Sequence, residues 1–230
     1  MNLEYTELAK YYDIFNSKKD YQKEVDFLIS ILKNKNVKTV LDVGCGTGNH
    51  LVYLEKAGFN CIGMDNSPEM LSIARKKVKS ELFLNDMTNF DLNKKFDAII
   101  CMYATFNHNL SIKNAEKTLV CFKNHLNKNG MILIDLHNPS SSGKKVEKVG
   151  DVERSISWNF DKNNKIENTE IQFKINGKTI NAKHVFRIYS IKEISDLLSR
   201  VGFKKVIVYE GYGFNKANNK SKNLEIIGEI

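Results

Sequence analysis

Short, almost unbroken apolar runs alternate with amphipathic stretches as far as Leu136. The runs at 39–43, 60–64, 81–84, 95–102 and 131–136 have the length and continuity of strands that are buried on both faces. The segments between them, and residues 20–35 before them, carry apolar side chains at helical spacing. Strands and helices that alternate in this way predict an α/β protein, in which helices cover both faces of a parallel sheet.

The pattern changes after the fifth predicted strand. Between Val152 and Tyr189 apolar and polar residues alternate, and Asn176-Gly177 is a hairpin turn signal. We therefore predict an antiparallel insert of two to four strands, followed by a helix at 191–201 and two last strands. Residues 1–36 are predicted to form an N-terminal helical cover, and residues 37–150 a doubly wound core. Residues 151–190 form the antiparallel β insert, and residues 191–230 a C-terminal helix with the last two strands of the core.

Composition and charge narrow the class of protein. Of the 230 residues 42% are hydrophobic and 27% charged, which is ordinary for a globular protein. No apolar run approaches the roughly 18 residues of a membrane span, and residues 1–5 lack the layout of a signal peptide, so we expect a cytoplasmic protein. Four scattered cysteines without a Cys-x-x-Cys pair predict neither a disulfide framework nor a metal site. The net charge of +8 is dispersed, which favours a small-molecule partner over a nucleic acid.

A glycine turn follows the first predicted strand. It reads Gly44-Cys45-Gly46-Thr47-Gly48-Asn49. Glycines let the backbone turn sharply and let a ligand approach the main chain closely. The spacing differs from the dinucleotide-binding G-x-G-x-x-G because Asn49 occupies the third glycine position, and no Lys-Ser/Thr pair follows as in a P-loop. The turn is therefore suited to a ligand that is not held by its phosphates.

Three aspartates, Asp42, Asp65 and Asp86, lie at the ends of the first three predicted strands. In open α/β sheets ligands bind outside the carboxyl ends of the strands. A carboxylate after the second strand can accept ribose hydroxyls, and one after the third can accept an exocyclic amine. Three carboxylates suit a positively charged nucleoside without a phosphate, and S-adenosylmethionine fits that description.

These residues resemble the motifs of class I S-adenosylmethionine-dependent methyltransferases. The matching blocks are 41–48, 63–67, 85–87 and 96–99. The resemblance implies a Rossmann-like seven-stranded sheet with its last strand antiparallel, and S-adenosyl-L-methionine as cofactor. It implies that the glycine loop holds the methionine part, Asp65 the ribose, and Asp86 with Met87 the adenine. The cofactor contacts expected on this basis are Tyr11, Tyr12, Lys19, Asp42, Gly44, Cys45, Gly46, Gly48, Asp65, Asn66, Met70, Asp86, Met87, Met102 and Tyr103.

The chain is further similar to methyltransferases that N-methylate nucleotide-linked amino sugars, through residues 12–15, 19–21, 102–108 and 184–189. This similarity implies that N-terminal aromatics close over the cofactor and that His108 faces the acceptor amine, so His108 and Tyr12 are the expected catalytic residues. Histidine is suited to accept a proton near neutral pH. Further acceptor contacts are expected at His137, Trp158, His184 and Phe186, whereas His50 and His125 are expected to be structural.

Two segments depart from that subgroup. Asp135-Leu136-His137-Asn138-Pro139 replaces a tryptophan pair, and residues 211–216 replace a loop that contains glycine and arginine. Both segments would contact the acceptor. The sequence thus predicts methyl transfer to a small-molecule amine similar to an amino sugar, by a monomer or homodimer. A small-molecule O-methyltransferase, an RNA methyltransferase and a catalytically silent cofactor-binding protein are the alternatives.

Overall fold

The computed structural model describes residues 4–17, 19–139, 141–175 and 177–230, without the side chains of residues 4–8 and 10. The helices are α1 (Glu4–Phe15), α2 (Tyr21–Asn34), α3 (Asn49–Lys56), α4 (Pro68–Ala74), α5 (Ile112–Asn124) and α6 (Ile191–Val201). The strands are β1 (Thr39–Val43), β2 (Asn60–Asp65), β3 (Glu81–Leu84), β4 (Phe96–Cys101), β5 (Leu126–His137), β6 (Gly143–Val149), β7 (Val152–Asp161), β8 (Ile166–Ile175), β9 (Lys178–Arg187), β10 (Lys205–Glu210) and β11 (Asn223–Glu229). A 3₁₀ turn, Thr105–His108, follows β4.

The larger sheet has seven strands in the order β10-β11-β5-β4-β1-β2-β3. β1 pairs in parallel with both β2 and β4, whereas β11 pairs antiparallel with β5 and β10. The seven-stranded sheet with its antiparallel last strand is thereby confirmed. The chain moves outward from β1 through β2 to β3 and then returns to the other side of β1, so the strand order reverses between β1 and β4. In doubly wound sheets this switch point is where ligands bind.

Helices cover both faces of this sheet, which explains the unbroken apolar strands. Leu28 of α2 and Leu54 of α3 are fully buried on one face, and Phe122 of α5 and Leu197 of α6 are fully buried on the other. The predicted start of α4 is also observed, since the Ser67 hydroxyl accepts the backbone N–H of Met70 and Pro68 is the first helical residue. No helix within the described residues is long and apolar enough to cross a membrane.

The insert is a four-stranded antiparallel sheet in the order β6-β7-β8-β9. It begins at Gly143, earlier than the predicted residue 151, because β6 is a lysine-rich edge strand with mostly exposed side chains and no apolar alternation. β5 likewise begins at Leu126 and not at 131, since its first residues are polar and its register with β4 is irregular. Asn176 of the predicted hairpin turn lies outside the described residues, but Ile175 and Lys178 beside it are paired.

Candidate active site

A cavity of about 760 Å³ opens at the carboxyl ends of β1, β2, β4 and β5. α1 and the insert sheet close its other sides. Gly44, Asp65 and Asp86 line one end, which lies beside the glycine turn. His108 and alternate residues of β7, β8 and β9 line the other end, because one face of the insert sheet is turned toward the cavity. A single cavity therefore joins the two sets of predicted site residues.

The backbone of the glycine turn is held in a conformation that favours glycine. Gly44, Gly46 and Gly48 have φ angles of 74°, 55° and 79°. The N–H groups of Gly44 and Cys45 donate to the carbonyl of Met64 at 2.7 and 3.0 Å. A Cβ on Gly44 would lie 2.4 Å from Cγ2 of Thr105, whereas a Cβ on Gly46 would meet nothing within 4 Å. The open side of the turn is therefore at Gly46, which borders the cavity.

Asp65, at the end of β2, ties that turn to the next helix. One carboxylate oxygen accepts the Gly46 N–H at 2.8 Å and the other accepts the Ser67 N–H at 2.9 Å. Burial raises the pKa of Asp65, and these backbone donors oppose the rise. Each oxygen retains an acceptor site for a ligand, since a carboxylate has about four lone-pair positions. The residue can therefore hold the loop and still accept the hydroxyls of a ribose.

Asp42 lies one residue before the end of β1 and is 1% exposed. Its Oδ2 has no hydrogen-bond partner among the described residues. Burial raises the pKa of Asp42 to about 7, with a smaller contribution from Asp65 and an opposing one from His50. An unpaired buried carboxylate oxygen is costly. The charged form of Asp42 is therefore disfavoured in the folded protein.

α1 crosses the outer side of the glycine turn. The Asp13 carboxylate accepts Thr47 Oγ1–H at 2.7 Å and Asn49 Nδ2–H at 3.0 Å, and it pairs with Lys77 at 2.8 Å. The Tyr103 hydroxyl donates to Asn16 Oδ1 at 2.7 Å. The N-terminal segment is thereby attached both to the turn and to the end of β4.

A buried polar group lies beneath this cover. Lys19 Nζ is 2.9 Å from Glu24 Oε2 and 3.6 Å from the centroid of the Tyr103 ring. Burial lowers the pKa of Lys19, and the Glu24 carboxylate opposes that shift. Glu24 also faces His50 Nε2 at 3.1 Å. His50, predicted to be structural, thus pairs with Glu24 and also lines the cavity.

The expected cofactor residues divide into two groups. Eleven line the cavity: Tyr12, Gly44, Cys45, Gly46, Asp65, Asn66, Met70, Asp86, Met87, Met102 and Tyr103. Four do not: Tyr11, Lys19, Asp42 and Gly48. Gly48 is the N-cap of α3, and Tyr11 packs on the cluster that contains Phe15 and Phe173. Lys19 contacts Tyr103, which does line the cavity. All the expected acceptor residues line the cavity, namely His108, His137, Trp158, His184 and Phe186.

Three histidine rings surround Phe186. Their centroids lie 4.8 Å (His108), 5.7 Å (His184) and 6.4 Å (His137) from that of Phe186. Burial, and secondarily His184, lowers the pKa of His108 to about 4. His108 is therefore neutral at pH 7, able to accept a hydrogen bond but a weak proton acceptor.

His137 belongs to a different environment. Its Nε2 is 3.2 Å from Oε2 of Glu167, a residue that is 2% exposed. Asn107 holds the main chain of His137 by accepting its N–H at 3.0 Å and donating to its carbonyl at 3.2 Å. The same Asn107 amide donates to the carbonyl of Arg187 at 2.7 Å. β5, the 3₁₀ turn and β9 are thus joined at this histidine.

Several lining residues escaped the sequence analysis. Glu167 and Glu24 were not singled out, and Asp135 and Tyr212 were noted only as departures from the amino-sugar subgroup. Asp135 accepts the Ala104 N–H at 2.6 Å and the Tyr212 hydroxyl, and burial raises its pKa. The available signal was an acid within the otherwise apolar run 131–136, which describes Asp135 in β5.

Residues 40–130 match the model of a methyltransferase domain family. A glycine/sarcosine/dimethylglycine N-methyltransferase of Actinopolyspora halophila is 35% identical over 143 residues, which are 57% of this chain and 25% of that protein. A dTDP-3-amino-3,6-dideoxy-alpha-D-glucopyranose N,N-dimethyltransferase of Streptomyces fradiae is 31% identical over 56% of this chain and 52% of its own length. This chain thus spans between a quarter and about half of the length of these curated relatives.

Solved structures resemble the chain over nearly its whole length. A S-adenosylmethionine-dependent methyltransferase from Clostridium acetobutylicum has a TM-score of 0.84 at 22% identity, with 96% of each chain covered. DesVI from Streptomyces venezuelae has a TM-score of 0.79 at 22% identity, covering 96% of this chain and 97% of its own. Residues 40–130 therefore resemble a methyltransferase domain, and the chain as a whole shares the fold of these solved methyltransferases.

Proposed function

We propose that this protein is an S-adenosylmethionine-dependent methyltransferase that acts on the amine of a small molecule. The observation that carries the proposal is the single cavity, which has a glycine turn and carboxylates at one end and a histidine-lined enclosure at the other. A donor at one end and an acceptor at the other would meet inside this cavity. The amine is favoured over a hydroxyl because both curated relatives described above are named as N-methyltransferases.

The residues at the glycine end suit this cofactor. Asp65 has free acceptor capacity for a ribose, and Asp86 with Met87 lines the cavity where an adenine would lie. The open side of Gly46 admits the methionine part. When bound, the cofactor supplies a methyl group on a positively charged sulfur.

The protein's own work is to orient the amine and to exclude water. His108 is neutral and can accept an N–H of the acceptor, which turns the nitrogen lone pair toward the donor end. Tyr12, whose ring meets Tyr103 edge-on at 6.3 Å, covers the junction of the two ends. α1 and the insert sheet act as the covers that keep water out.

Two measurements test the proposal. Calorimetry with S-adenosylmethionine should show saturable binding, and release of S-adenosylhomocysteine should follow addition of an amine acceptor. Glycine, sarcosine and dTDP-linked amino sugars form the amine arm, and hydroxyl analogues of the same compounds form the O-methylation arm. An exposed-site variant, Asp196→Ala, serves as the matched control for all site variants. Binding without turnover on any acceptor would instead support a catalytically silent binding protein.

We also propose a cytoplasmic location. The four cysteines are free, as in a reducing compartment. Cell fractionation tests this, and recovery of the protein with a membrane or secreted fraction would contradict it.

A further inference from the structure

We propose that His137 accepts the proton released by the acceptor amine and that Glu167 is the residue that positions it. The proposal deepens the function above and rests on it. It assigns the proton-accepting role to a histidine after the fifth strand, whereas the sequence resemblance pointed to His108 after the fourth.

The first support is the pairing of His137 with a buried acid. Glu167 is 2% exposed, its Oε2 is 3.2 Å from His137 Nε2, and its Oε1 accepts the Thr169 hydroxyl at 2.8 Å. A buried carboxylate stays charged only when donors face both of its oxygens. Nε2 therefore carries the hydrogen, which leaves the lone pair of the neutral ring on Nδ1. Nδ1 makes no hydrogen bond to another described residue and is available to a substrate.

The second support is the fixed placement of the His137 main chain, which carries the ring. Asn107 bonds both the N–H and the carbonyl of His137 and also binds the carbonyl of Arg187. His137 lines the cavity, so the clamp fixes its position before an acceptor arrives. Preorganised placement is what makes a proton acceptor effective.

The third support is the contrast with the neighbouring histidines. His108 has no hydrogen bond or ion pair with any other described residue, and burial lowers its pKa to about 4. His184 stacks on Phe186 at 5.7 Å with an interplanar angle of 18°. Other titratable groups that line the same cavity include Glu167 from β8, His184 from β9, His108 from the 3₁₀ turn and Asp135, two residues earlier on β5. Glu167 is the one among them that bonds the imidazole of His137.

The step balances with these groups alone once donor and acceptor are present. The amine lone pair forms the new N–C bond, while the electron pair of the broken S–C bond stays on sulfur. The nitrogen thereby becomes cationic, and its N–H proton passes to Nδ1 of His137. Glu167 neutralises the imidazolium that results.

The activity arm compares His137→Gln, Glu167→Gln and His108→Gln. We expect His137→Gln to lower kcat by roughly a hundredfold or more, the usual contribution of general base catalysis, with cofactor affinity unchanged. In the pH profile of kcat, Glu167→Gln should displace the fall in activity on the acidic side (the acid limb). His108→Gln should leave that limb in place. A His137→Gln enzyme within threefold of wild type, or one with an unchanged acid limb, would overturn the assignment.

A second arm needs neither cofactor nor turnover. Nuclear magnetic resonance of histidine-labelled, ligand-free protein should show His137 as the Nε2–H tautomer, and its titration should move in Glu167→Gln. Circular dichroism checks that the variant folds, and Thr169→Val provides a milder perturbation of the same carboxylate. If wild type methylates no amine, the proposed function fails. If His137 titrates identically in wild type and both variants, the pairing with Glu167 fails independently.

Discussion

Replacing Asp42 by asparagine should change the pH dependence of folding in a defined direction. The folded-state pKa of Asp42 is raised from 3.8 to about 7, because burial penalises the charged carboxylate. A raised pKa means that the folded protein holds its proton more tightly than the unfolded chain does. The stabilisation is therefore complete below about pH 4 and is lost as the pH rises from 4 to 7.

The size of the effect follows from that shift. Three pKa units correspond to about 4 kcal/mol, and about 3 kcal/mol of this is lost between pH 5 and pH 8. Asparagine does not titrate, so its own cost as a buried amide is the same at both pH values. Glu225, whose pKa is also raised by burial to about 7, titrates in both proteins and cancels in the comparison.

The assay is urea unfolding of ligand-free wild type and Asp42→Asn at several pH values, followed by circular dichroism. The free energy of unfolding of wild type should fall, relative to the variant, by about 3 kcal/mol from pH 5 to pH 8. The exposed replacement Asp196→Asn is the control and should give a curve parallel to wild type. A curve for Asp42→Asn that runs parallel to that of wild type would refute the argument that burial raises the pKa of Asp42 in the folded state.

The remaining predictions concern the two ends of the cavity. Gly46→Val should abolish cofactor binding, because φ is 55° there and the side chain would enter the open side of the turn; normal calorimetric affinity would contradict the cofactor assignment. Asp65→Ala should also abolish it, since the Gly46 and Ser67 N–H groups lose their acceptor; undiminished affinity would contradict the role of Asp65. His108→Ala should keep cofactor binding and slow transfer, and full activity would remove His108 from the mechanism. Wild type should lose about 2 kcal/mol of its free energy of unfolding between pH 7 and pH 5 through His108, because a lowered histidine pKa disfavours folding as the pH falls. His108→Gln should not show this part of the loss, and chemical unfolding at both pH values checks this.

The parts of the fold that the sequence predicted well are those set by short-range sequence features. β1 and the glycine turn lie where expected because an unbroken apolar run and three glycines in the left-handed region are short-range features. β6 was missed because an exposed edge strand has no apolar pattern to detect. The remaining errors have the same cause, since an exposed or polar stretch of strand is indistinguishable from a loop in a single sequence.

The site was predictable only in part. Asp65 and His108 follow strand ends and could be placed by topology. Asp135 and Tyr212 lie 77 residues apart in sequence, and His137 and Glu167 lie 30 apart, so each pair meets only through tertiary packing. A sequence pattern shows the acids and the rings separately, but it does not show that they are partners.

The two elements that cover the cavity, α1 and the insert sheet, are attached to the rest of the protein with unequal strength. The insert sheet is joined to β5 through Asn107 and the buried Glu167, whereas α1 is attached to the glycine turn through Asp13, whose side chain is 40% exposed. Half-exposed ion pairs contribute little stability. The polar contacts of α1 with the core are therefore weaker than those of the insert sheet, while Phe15 of α1 packs on Phe173 of β8 at 4.2 Å between ring centroids. This difference predicts faster amide hydrogen exchange in α1 than in β8.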